Sequence, residues 1–371
     1  MKILYILDYI PLGSRTFDDF LARLVDAVHA RGWDLRFVFA GEPGPGFVKT
    51  LHDNQVAWCV MRFPLRWRFW SGLAGKWPGY RPDLVYTSFL SVFSVPLIAA
   101  RVLGWMQFWI VSDESSGAAT TGSWVKSVVR KWRGRWVGHI VDKVRTVSHY
   151  IAKRDIEQMY LPANKVQVIW NGILLARYPF REQKIDHPEL RILFIGQIIA
   201  EKGVFVLLEA LEILQKQGVY CTCRYAGEGV ARGELEVQVE RCGLAKSVEV
   251  LGFCSDPLGQ YHWADVVVVP SLWAEAFGLV AIEAMATGAV VVVSDAGGLP
   301  EVVGDAGVIV PSGDGNALAA AISEIARDID GARDRARRAR ERVIHVFQVD
   351  QTVDAIIKVF VHVSCRGKDD A

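Results

Sequence analysis

Apolar runs of about six residues alternate with segments of helical spacing through the first half of the chain. Apolar positions three and four apart over residues 17–31 predict an amphipathic helix between two strands. Strands are predicted at residues 2–8, 34–40, 82–89, 106–113 and within 142–150, and residues 166–173 close this half. Because this alternation is typical of a parallel sheet with helices on both faces, we predict a doubly wound α/β domain over residues 1–175.

The alternation restarts at Arg191, after a polar and aperiodic stretch at residues 177–189. Further strands are predicted in CTCRYAG, VEVLGF, VVVVP, VVVVSD and around Val308, and a long helix is predicted from Asn316 through the arginine-rich segment. We therefore predict a second doubly wound domain over residues 190–345, with a C-terminal helix, 346–371, packing back on the first. Doubly wound sheets bind ligands beyond the carboxyl ends of their strands, so the two domains are expected to face each other across a ligand-binding cleft.

The segment PSLWAEAFGLVAIEAMATG, residues 270–288, lies between two valine runs predicted as buried strands. Glu275 and Glu283 are its only charged residues, and a buried carboxylate is costly unless a polar group meets it. Phe277-Gly278 can bring backbone close to a ligand, and a helix beginning there points N–H groups at the same place. The pattern indicates a phosphate site. The alternative is a helix N-terminal acid at Glu275 and an Arg or Lys partner for Glu283.

Glycine-bearing turns follow several strands of the second half: GQIIAEKG (196–203), YAGEG (225–229), GFCSD (252–256) and GGLPEVV (297–303). The predicted topology brings these strand ends to one rim of the sheet. Lys202 comes where a strand is followed by a helix, which suits a contact with a diphosphate. A solvated surface lysine and plain turns are the alternatives.

The composition and charge of the chain limit the classes of binding partner and the cellular compartment that we expect. The formal net charge is only +1, and no recognised motif indicates nucleic-acid binding. The six cysteines lack metal-ligand spacing, and the N-terminus predicts a first strand rather than a signal peptide, so a cytoplasmic protein with reduced cysteines is expected. Residues 84–111 are almost uncharged, but Pro96 and Arg101 interrupt them, which favours strand, helix and strand over a membrane span.

Two stretches mix basic and aromatic side chains, at residues 61–80 and 124–136. This mixture is typical of peripheral binding to an anionic membrane surface. The alternative is a pair of ordinary helices whose tryptophans pack inward.

Taken together, these blocks resemble the retaining nucleotide-sugar glycosyltransferases of glycosyltransferase family 4, which have the GT-B fold. The family's two glutamates separated by seven residues are matched by Glu275 and Glu283, with Phe277 and Gly278 between them. RTVSHYIAKRD, VIWNGI, GQIIAEKG, YAGEG, VLGF and GGLPEVV resemble the family's successive blocks. The resemblance implies transfer of a hexosyl group from a UDP- or GDP-sugar to an acceptor hydroxyl of a glycan or lipid-linked acceptor, with retained configuration and without a cofactor or metal.

The resemblance also implies residue roles. Glu275 would face the donor sugar, Glu283 the ribose hydroxyls and Lys202 the diphosphate. The other donor-binding candidates lie in loops and at strand ends: Gly13, Arg15, Gly196, Gln197, Gly227, Phe253, Ala276, Phe277, Gly278 and Leu279.

Two departures from the family pattern affect the predicted site. Gln197 stands where the family often has an arginine, and Arg15 is the candidate to supply the missing charge. The first-domain histidine of many members is replaced by Ser112, Asp113 and Glu114, and Asp113 is the candidate for its role. The predicted catalytic residues are therefore Glu275, Lys202 and Asp113.

A GT-B phosphorylase, a sugar-phosphate synthase and a catalytically degenerate sugar-nucleotide-binding protein remain alternatives. A glycosidase fits less well than donor binding, and the first strand lacks the G-x-G-x-x-G turn of an NAD enzyme.

Overall fold

The computed structural model describes residues 1–13, 16–65, 69–116, 124–181, 189–254 and 257–369. The chain forms two compact units. Unit 1 comprises Met1–Leu174 with Val349–Ala371, and unit 2 comprises Leu175–Gln348.

Unit 1 is built on a seven-stranded sheet within the described residues, in the order β3-β2-β1-β4-β5-β6-β7. All of its strand pairs are parallel. The strands are β1 (Lys2–Leu7), β2 (Asp34–Phe39), β3 (Ala57–Val60), β4 (Leu84–Ser88), β5 (Phe108–Asp113), β6 (Lys143–Thr146) and β7 (Val166–Val168). The helices are α1 (Thr16–His29), α2 (Pro45–Asp53), α3 (Phe69–Lys76), α4 (Val95–Val102), α5 (Trp124–Ile140) and α6 (His149–Glu157).

Continuous apolar runs form the central strands of this sheet because both of its faces are covered. Along β1, Ile3 and Tyr5 contribute to one hydrophobic cluster, while Leu4 and Ile6 contribute to the other. Helix packing on both faces therefore explains why β1 lacks the alternation of polar and apolar residues that a half-exposed strand shows.

Unit 2 has a six-stranded parallel sheet in the order β10-β9-β8-β11-β12-β13 within the described part of the chain. Its strands are β8 (Leu190–Ile195), β9 (Cys221–Ala226), β10 (Val248–Gly252), β11 (Val266–Val269), β12 (Val290–Ser294) and β13 (Val308–Val310). Its helices are α7 (Val204–Lys216), α8 (Arg232–Arg241), α9 (Pro257–Trp263), α10 (Leu279–Thr287), α11 (Leu299–Val303), α12 (Gly315–Arg327) and α13 (Ile329–Val346). The last helix, α14 (Val349–Asp369), belongs to unit 1 and packs beside α1.

The strand order of each sheet reverses at one point, between β1 and β4 in unit 1 and between β8 and β11 in unit 2. Ligands of doubly wound sheets bind at this switch point, beyond the carboxyl ends of the strands. In unit 2 the loops that follow β8 and β11 contain Lys202 and Glu275.

The prediction of two doubly wound, Rossmann-like domains is confirmed. The prediction of a single helix from Asn316 is wrong. Helix α12 ends at Arg327, and a separate helix, α13, begins after Asp328. The Asp328 carboxylate accepts the Gly331 N–H at 2.9 Å and thereby caps the second helix.

The structure divides the chain between Leu174 and Leu175, and the Arg181 N–H donates to the Thr287 carbonyl within unit 2 at 3.0 Å. Residues 182–188 of the polar stretch lie outside the described residues.

Searched over the described ranges, no helix combines the length and apolarity needed to cross a membrane.

Candidate active site

The loops after β8 and β11 in unit 2 are held against each other by their backbones. The Glu201 carbonyl accepts N–H groups from Leu272 and Trp273, at 2.9 and 3.2 Å. Gly203 has a φ of +73°, and a Cβ there would lie 1.8 Å from the Pro270 carbonyl oxygen. Only glycine fits this close approach, which brings Lys202 beside the segment that contains Glu275.

Lys202 and Glu275 form an ion pair at the switch point. The Lys202 Nζ lies 2.5 Å from Glu275 Oε1, and the Ser271 hydroxyl donates to the same oxygen at 2.6 Å. Glu275 is only 8% exposed, so these two donors offset the cost of burying its charge. The predicted sugar-facing and diphosphate-binding residues are thus in direct contact, and Glu275 precedes α10 rather than belonging to it.

The backbone on either side of Glu275 is also fixed. The Ser271 carbonyl accepts the Ser294 hydroxyl at 2.7 Å and the Ser312 hydroxyl at 3.0 Å. The Gly298 N–H donates to the Glu275 carbonyl at 2.8 Å. The bond from Gly298 connects the GGLPEVV turn, predicted at the same rim, to the loop of Glu275.

Helix α10 begins beside this pair with uncapped N–H groups. Its N-cap is Gly278, with a φ of +119°, and neither a capping side chain nor an acidic residue occupies its first turn. Ala276 and Phe277 are buried, and Leu279 is half-buried. Since the two preceding side chains point inward, it is the backbone of this turn that a ligand would meet.

Glu283 lies one turn further along α10 and is half-buried. Its Oε2 accepts a hydrogen bond of 2.6 Å from the hydroxyl of Tyr261 on α9. A tyrosine is therefore one partner of this carboxylate.

The glycine-bearing ends of β8, β9 and β10 pack on one another. A Cβ at Gly227 would lie 1.7 Å from the Gly196 carbonyl oxygen, and the Gly227 N–H donates to the Gly252 carbonyl at 2.7 Å. Gln197 is exposed on this rim, and Phe253, 73% exposed, follows β10. The structure thus places Gly196, Gln197, Gly227 and Phe253 at the same end of the sheet as Lys202.

In unit 1, Asp113 ends β5 and is bound by Arg154 of α6. The Arg154 Nη2 lies 2.7 Å from Asp113 Oδ2 and 3.1 Å from Asp155 Oδ1, and the Ser115 N–H donates to Asp113 at 2.9 Å. Burial, followed by the nearby charge of Asp113, raises the pKa of Asp155 to about 8. The candidate Asp113 is therefore held in place by the Arg154 guanidinium.

Glu114, the next residue, has a buried side chain whose partners differ from those of Asp113. Its Oε1 lies 3.1 Å from the Arg145 Nη1 and accepts the Ser112 hydroxyl at 2.8 Å. Burial raises the pKa of Glu114, although the Arg145 charge opposes the shift. Two of the three residues at the replaced histidine position are thus part of an internal network.

The N-terminal loop of unit 1 is anchored through Gly13. Its N–H donates to Asp18 Oδ2 at 2.8 Å, and its φ is +82°. Arg15, the predicted replacement for the missing positive charge, lies outside the described residues.

Two family models match the two halves of the chain. The model described as Glycosyltransferase Family 4 matches residues 20–177, and the model described as Glycosyl transferases group 1 matches residues 179–342. The chain belongs to glycosyltransferase family 4.

Relatives agree with this assignment, and a solved structure agrees with the fold. The glycosyltransferase is 30% identical to a glycogen synthase of Mycobacterium tuberculosis over 78% of this chain and 67% of that protein. It is 31% identical to a putative colanic acid biosynthesis glycosyltransferase of Salmonella typhimurium, over 52% of this chain and 50% of that protein. A UDP complex of Anabaena Alr3699/HepE superposes with a TM-score of 0.78 at 19% identity, covering 98% of this chain and 100% of that chain. The predicted family is confirmed.

Several residues that shape the glycosyltransferase site were not anticipated from its sequence. Ser271, Tyr261 and Arg154 each bond to a candidate residue, and Arg145 bonds to Ser112 and Glu114 on either side of one. Ser271 carries a recognisable signal, since a hydroxyl four positions before a buried acid is a natural partner for it. For the other three no local signal exists, because their partners lie 22 or more positions away.

Proposed function

We propose that this glycosyltransferase transfers a sugar, of the hexosyl type, from a nucleoside diphosphate donor to an acceptor hydroxyl with retention of configuration. The observation that carries the proposal is the meeting of Lys202 and Glu275 at the switch point of unit 2, beside the uncapped start of α10. A lysine and the positive end of a helix favour a diphosphate, and the adjacent carboxylate suits sugar hydroxyls.

In the proposed step, the acceptor oxygen bonds to the anomeric carbon on the face from which the diphosphate leaves. The bond from that carbon to the phosphate oxygen breaks, and the acceptor's proton passes to the leaving phosphate. Lys202 and the N–H groups of α10 would stabilise the charge that develops on the diphosphate. The protein's contribution is positioning and electrostatic stabilisation, and no metal is assigned to the step.

The remaining candidates divide between the parts of the donor. Glu283 would bind the ribose hydroxyls, and the exposed ring of Phe253 would contact the base. In unit 1, Asp113 is the candidate for the role of the replaced histidine, and its ion pair with Arg154 would fix its orientation.

A UDP- or GDP-sugar is proposed as the donor. The Alr3699/HepE structures contain UDP and, in one case, UDP-glucose, which supports a nucleotide sugar here. The similarity to a glycogen synthase and to a colanic acid biosynthesis glycosyltransferase supports a role in polysaccharide or glycoconjugate synthesis.

A donor panel tests the proposal. We expect the midpoint temperature of thermal unfolding to rise with one nucleotide class when UDP, GDP, ADP and the common sugar nucleotides derived from them are tested in turn. A ligand that binds only the folded state stabilises it. The stabilising sugar nucleotide should then release its nucleoside diphosphate on turnover. Binding without release of nucleotide or transfer of sugar would instead favour the catalytically degenerate protein, and transfer to phosphate would favour a phosphorylase.

We further propose that unit 1 docks on an anionic membrane surface through α5. Val128, Trp132 and Trp136 are four residues apart and so share a helix face, with Val129 beside them. We name these four residues the α5 stripe. All four are exposed, Trp132 by 74%, whereas Gly134, Val137 and Gly138 on the other side of the helix are buried.

The charges of α5 agree with this partner. The helix contains no acidic residue, and Lys131, Arg133 and Arg135 are exposed near the stripe. Outward tryptophans flanked by bases suit a lipid interface with anionic headgroups. By contrast, the described aromatic side chains of the first stretch are buried or half-buried, and the indole N–H of the buried Trp70 donates to the Pro96 carbonyl. A lipid-linked acceptor and a location at the cytoplasmic face of the membrane would follow.

Vesicle flotation tests the membrane surface. The wild-type chain should float with vesicles of phosphatidylcholine and phosphatidylglycerol, less with phosphatidylcholine alone, and less as salt is raised. Trp132→Ser/Trp136→Ser should lose flotation, while Tyr220→Ser, which removes an aromatic ring that is 75% exposed in unit 2, should retain it. Absence of wild-type flotation with anionic vesicles would overturn the membrane proposal and leave the donor proposal intact.

A further inference from the structure

Tyr261 is a fully buried tyrosine of α9 whose hydroxyl is hydrogen-bonded to a candidate site residue, Glu283. Its Oη donates to Glu283 Oε2 at 2.6 Å, a short bond typical of a hydroxyl on a carboxylate. Burial and, second, the charge of Glu283 raise the pKa of Tyr261 well above its ordinary value. The phenol therefore keeps its proton and acts as a donor throughout the physiological pH range.

The tyrosine ring is itself held in place. It packs edge-on against Tyr178, with ring centroids 6.4 Å apart, and α9 packs against both β8 and α10. The neighbouring His262 ring is bonded to the Pro179 carbonyl at 2.9 Å. A rigid donor of this kind restricts the rotamers that the Glu283 side chain can adopt.

We infer that Tyr261 is a positioning residue for the donor ribose: its hydroxyl holds the Glu283 carboxylate in the orientation that receives the vicinal ribose hydroxyls. The inference rests on the proposed function, since it deepens the role of Glu283 there. Because the Glu283 carboxylate is already oriented before the nucleotide arrives, binding avoids the entropic cost of ordering it. The benefit is confined to ligands that have the ribose diol.

The restriction of the benefit to ligands with the ribose diol distinguishes a positioning role of Tyr261 from a merely structural one. If Tyr261 only fills space, its replacement should weaken the binding of every nucleotide to the same extent. A tyrosine that orients Glu283 affects binding of a ribonucleotide and leaves binding of its 2′,3′-dideoxy counterpart unchanged.

The test is calorimetric titration of the full chain with UDP or GDP, whichever binds, and with the matching 2′,3′-dideoxynucleotide. Tyr261→Phe should weaken the ribonucleotide by about tenfold, the effect of losing one hydrogen bond to a charged group, and leave the dideoxynucleotide within about twofold. Under turnover, the KM for the sugar nucleotide should rise while kcat changes little.

Tyr225→Phe is the matched control. Tyr225 is equally buried in unit 2, but its hydroxyl donates to the backbone carbonyl of Val204 at 3.1 Å. This variant should leave both affinities unchanged. Equal weakening of both nucleotides by Tyr261→Phe, or no change in either, overturns the inference. Absence of nucleotide binding by the wild type would instead refute the proposed function itself.

Discussion

Lys202 and Glu275 are 73 positions apart in the chain, yet their charged atoms lie 2.5 Å apart. The pair forms because β8 and β11 are neighbours in the sheet, so the loops that follow them emerge side by side. Each residue was identified as a candidate from its own surroundings in the sequence. Their direct contact was not predicted, since strand order determines it and the sequence pattern leaves strand order open.

The ion pair predicts that stability and activity can be separated. Lys202→Met should destabilise the protein by about 1–3 kcal/mol, because it leaves the buried Glu275 charge without its cation. Adding Glu275→Gln should restore most of the free energy of unfolding, since the uncompensated charge is removed. Sugar transfer should stay impaired in the double variant. Chemical denaturation and a nucleotide-release assay measure the two quantities, and recovery of both together would argue against a role in donor binding.

Asp155 predicts a pH dependence of stability. Its pKa is about 8 in the folded protein against an ordinary value of 3.8, so folding favours its protonated form. The contribution of this group to stability is therefore complete below about pH 4, falls as pH rises, and is lost above about pH 8.

Replacing Asp155 by asparagine should remove this dependence. Wild-type stability should fall relative to Asp155→Asn between pH 5 and pH 8, by about 1.4 kcal/mol per pH unit at most. Denaturation curves at several pH values measure the difference. Parallel pH profiles for the two proteins would show that Asp155 is ionised in the fold.

At the scale of elements, the long periodic segments were predictable and the breaks between them less so. The arginine-rich run after Asn316 has uninterrupted helical character, and a single aspartate, Asp328, divides it by capping a second helix. Likewise, the burial of Glu114 could not be foreseen, because its partner Arg145 comes from a different strand, β6. Local propensity fixes the type of an element, whereas a single capping side chain can decide where it begins and tertiary partners decide which charges are buried.

Helix α5 is seated by two glycines four residues apart. A Cβ at Gly134 would lie 1.8 Å from the Met159 carbonyl oxygen, and one at Gly138 would lie 2.2 Å from the Pro162 ring. Close backbone contact on this side explains why Trp132 and Trp136 are on the other side. The outward face of α5 therefore follows from its glycines as much as from its aromatic residues.

Gly134→Ala should consequently destabilise unit 1 by about 2–3 kcal/mol, as overpacking against backbone does. Gly233→Ala on α8 is the control, because nothing lies within 4 Å of its added Cβ, and it should stabilise by up to about 1 kcal/mol. Urea denaturation compares the two. Equal effects would mean that α5 does not depend on close contact at Gly134.

At the scale of the whole molecule, the fold class and the family were predictable because alternation of strands and helices, glycine-bearing strand ends and the two glutamates all indicated the same architecture. The residues that the sequence singled out in unit 2 lie at one end of its sheet. Less of the unit 1 site was predictable, because Asp113 is held by an arginine, Arg154, that lies 41 positions away on another element.

The central claim is that unit 2 binds a nucleoside diphosphate at the switch point, with Glu283 on its ribose. Calorimetric titration with UDP and GDP of the wild type, Glu283→Ala and the exposed-site control Glu240→Ala tests it most directly. We expect one nucleotide to bind the wild type and the control with one-to-one stoichiometry, and Glu283→Ala to bind it at least about tenfold more weakly. Equal affinity of all three proteins, or binding of neither nucleotide, would contradict the claim.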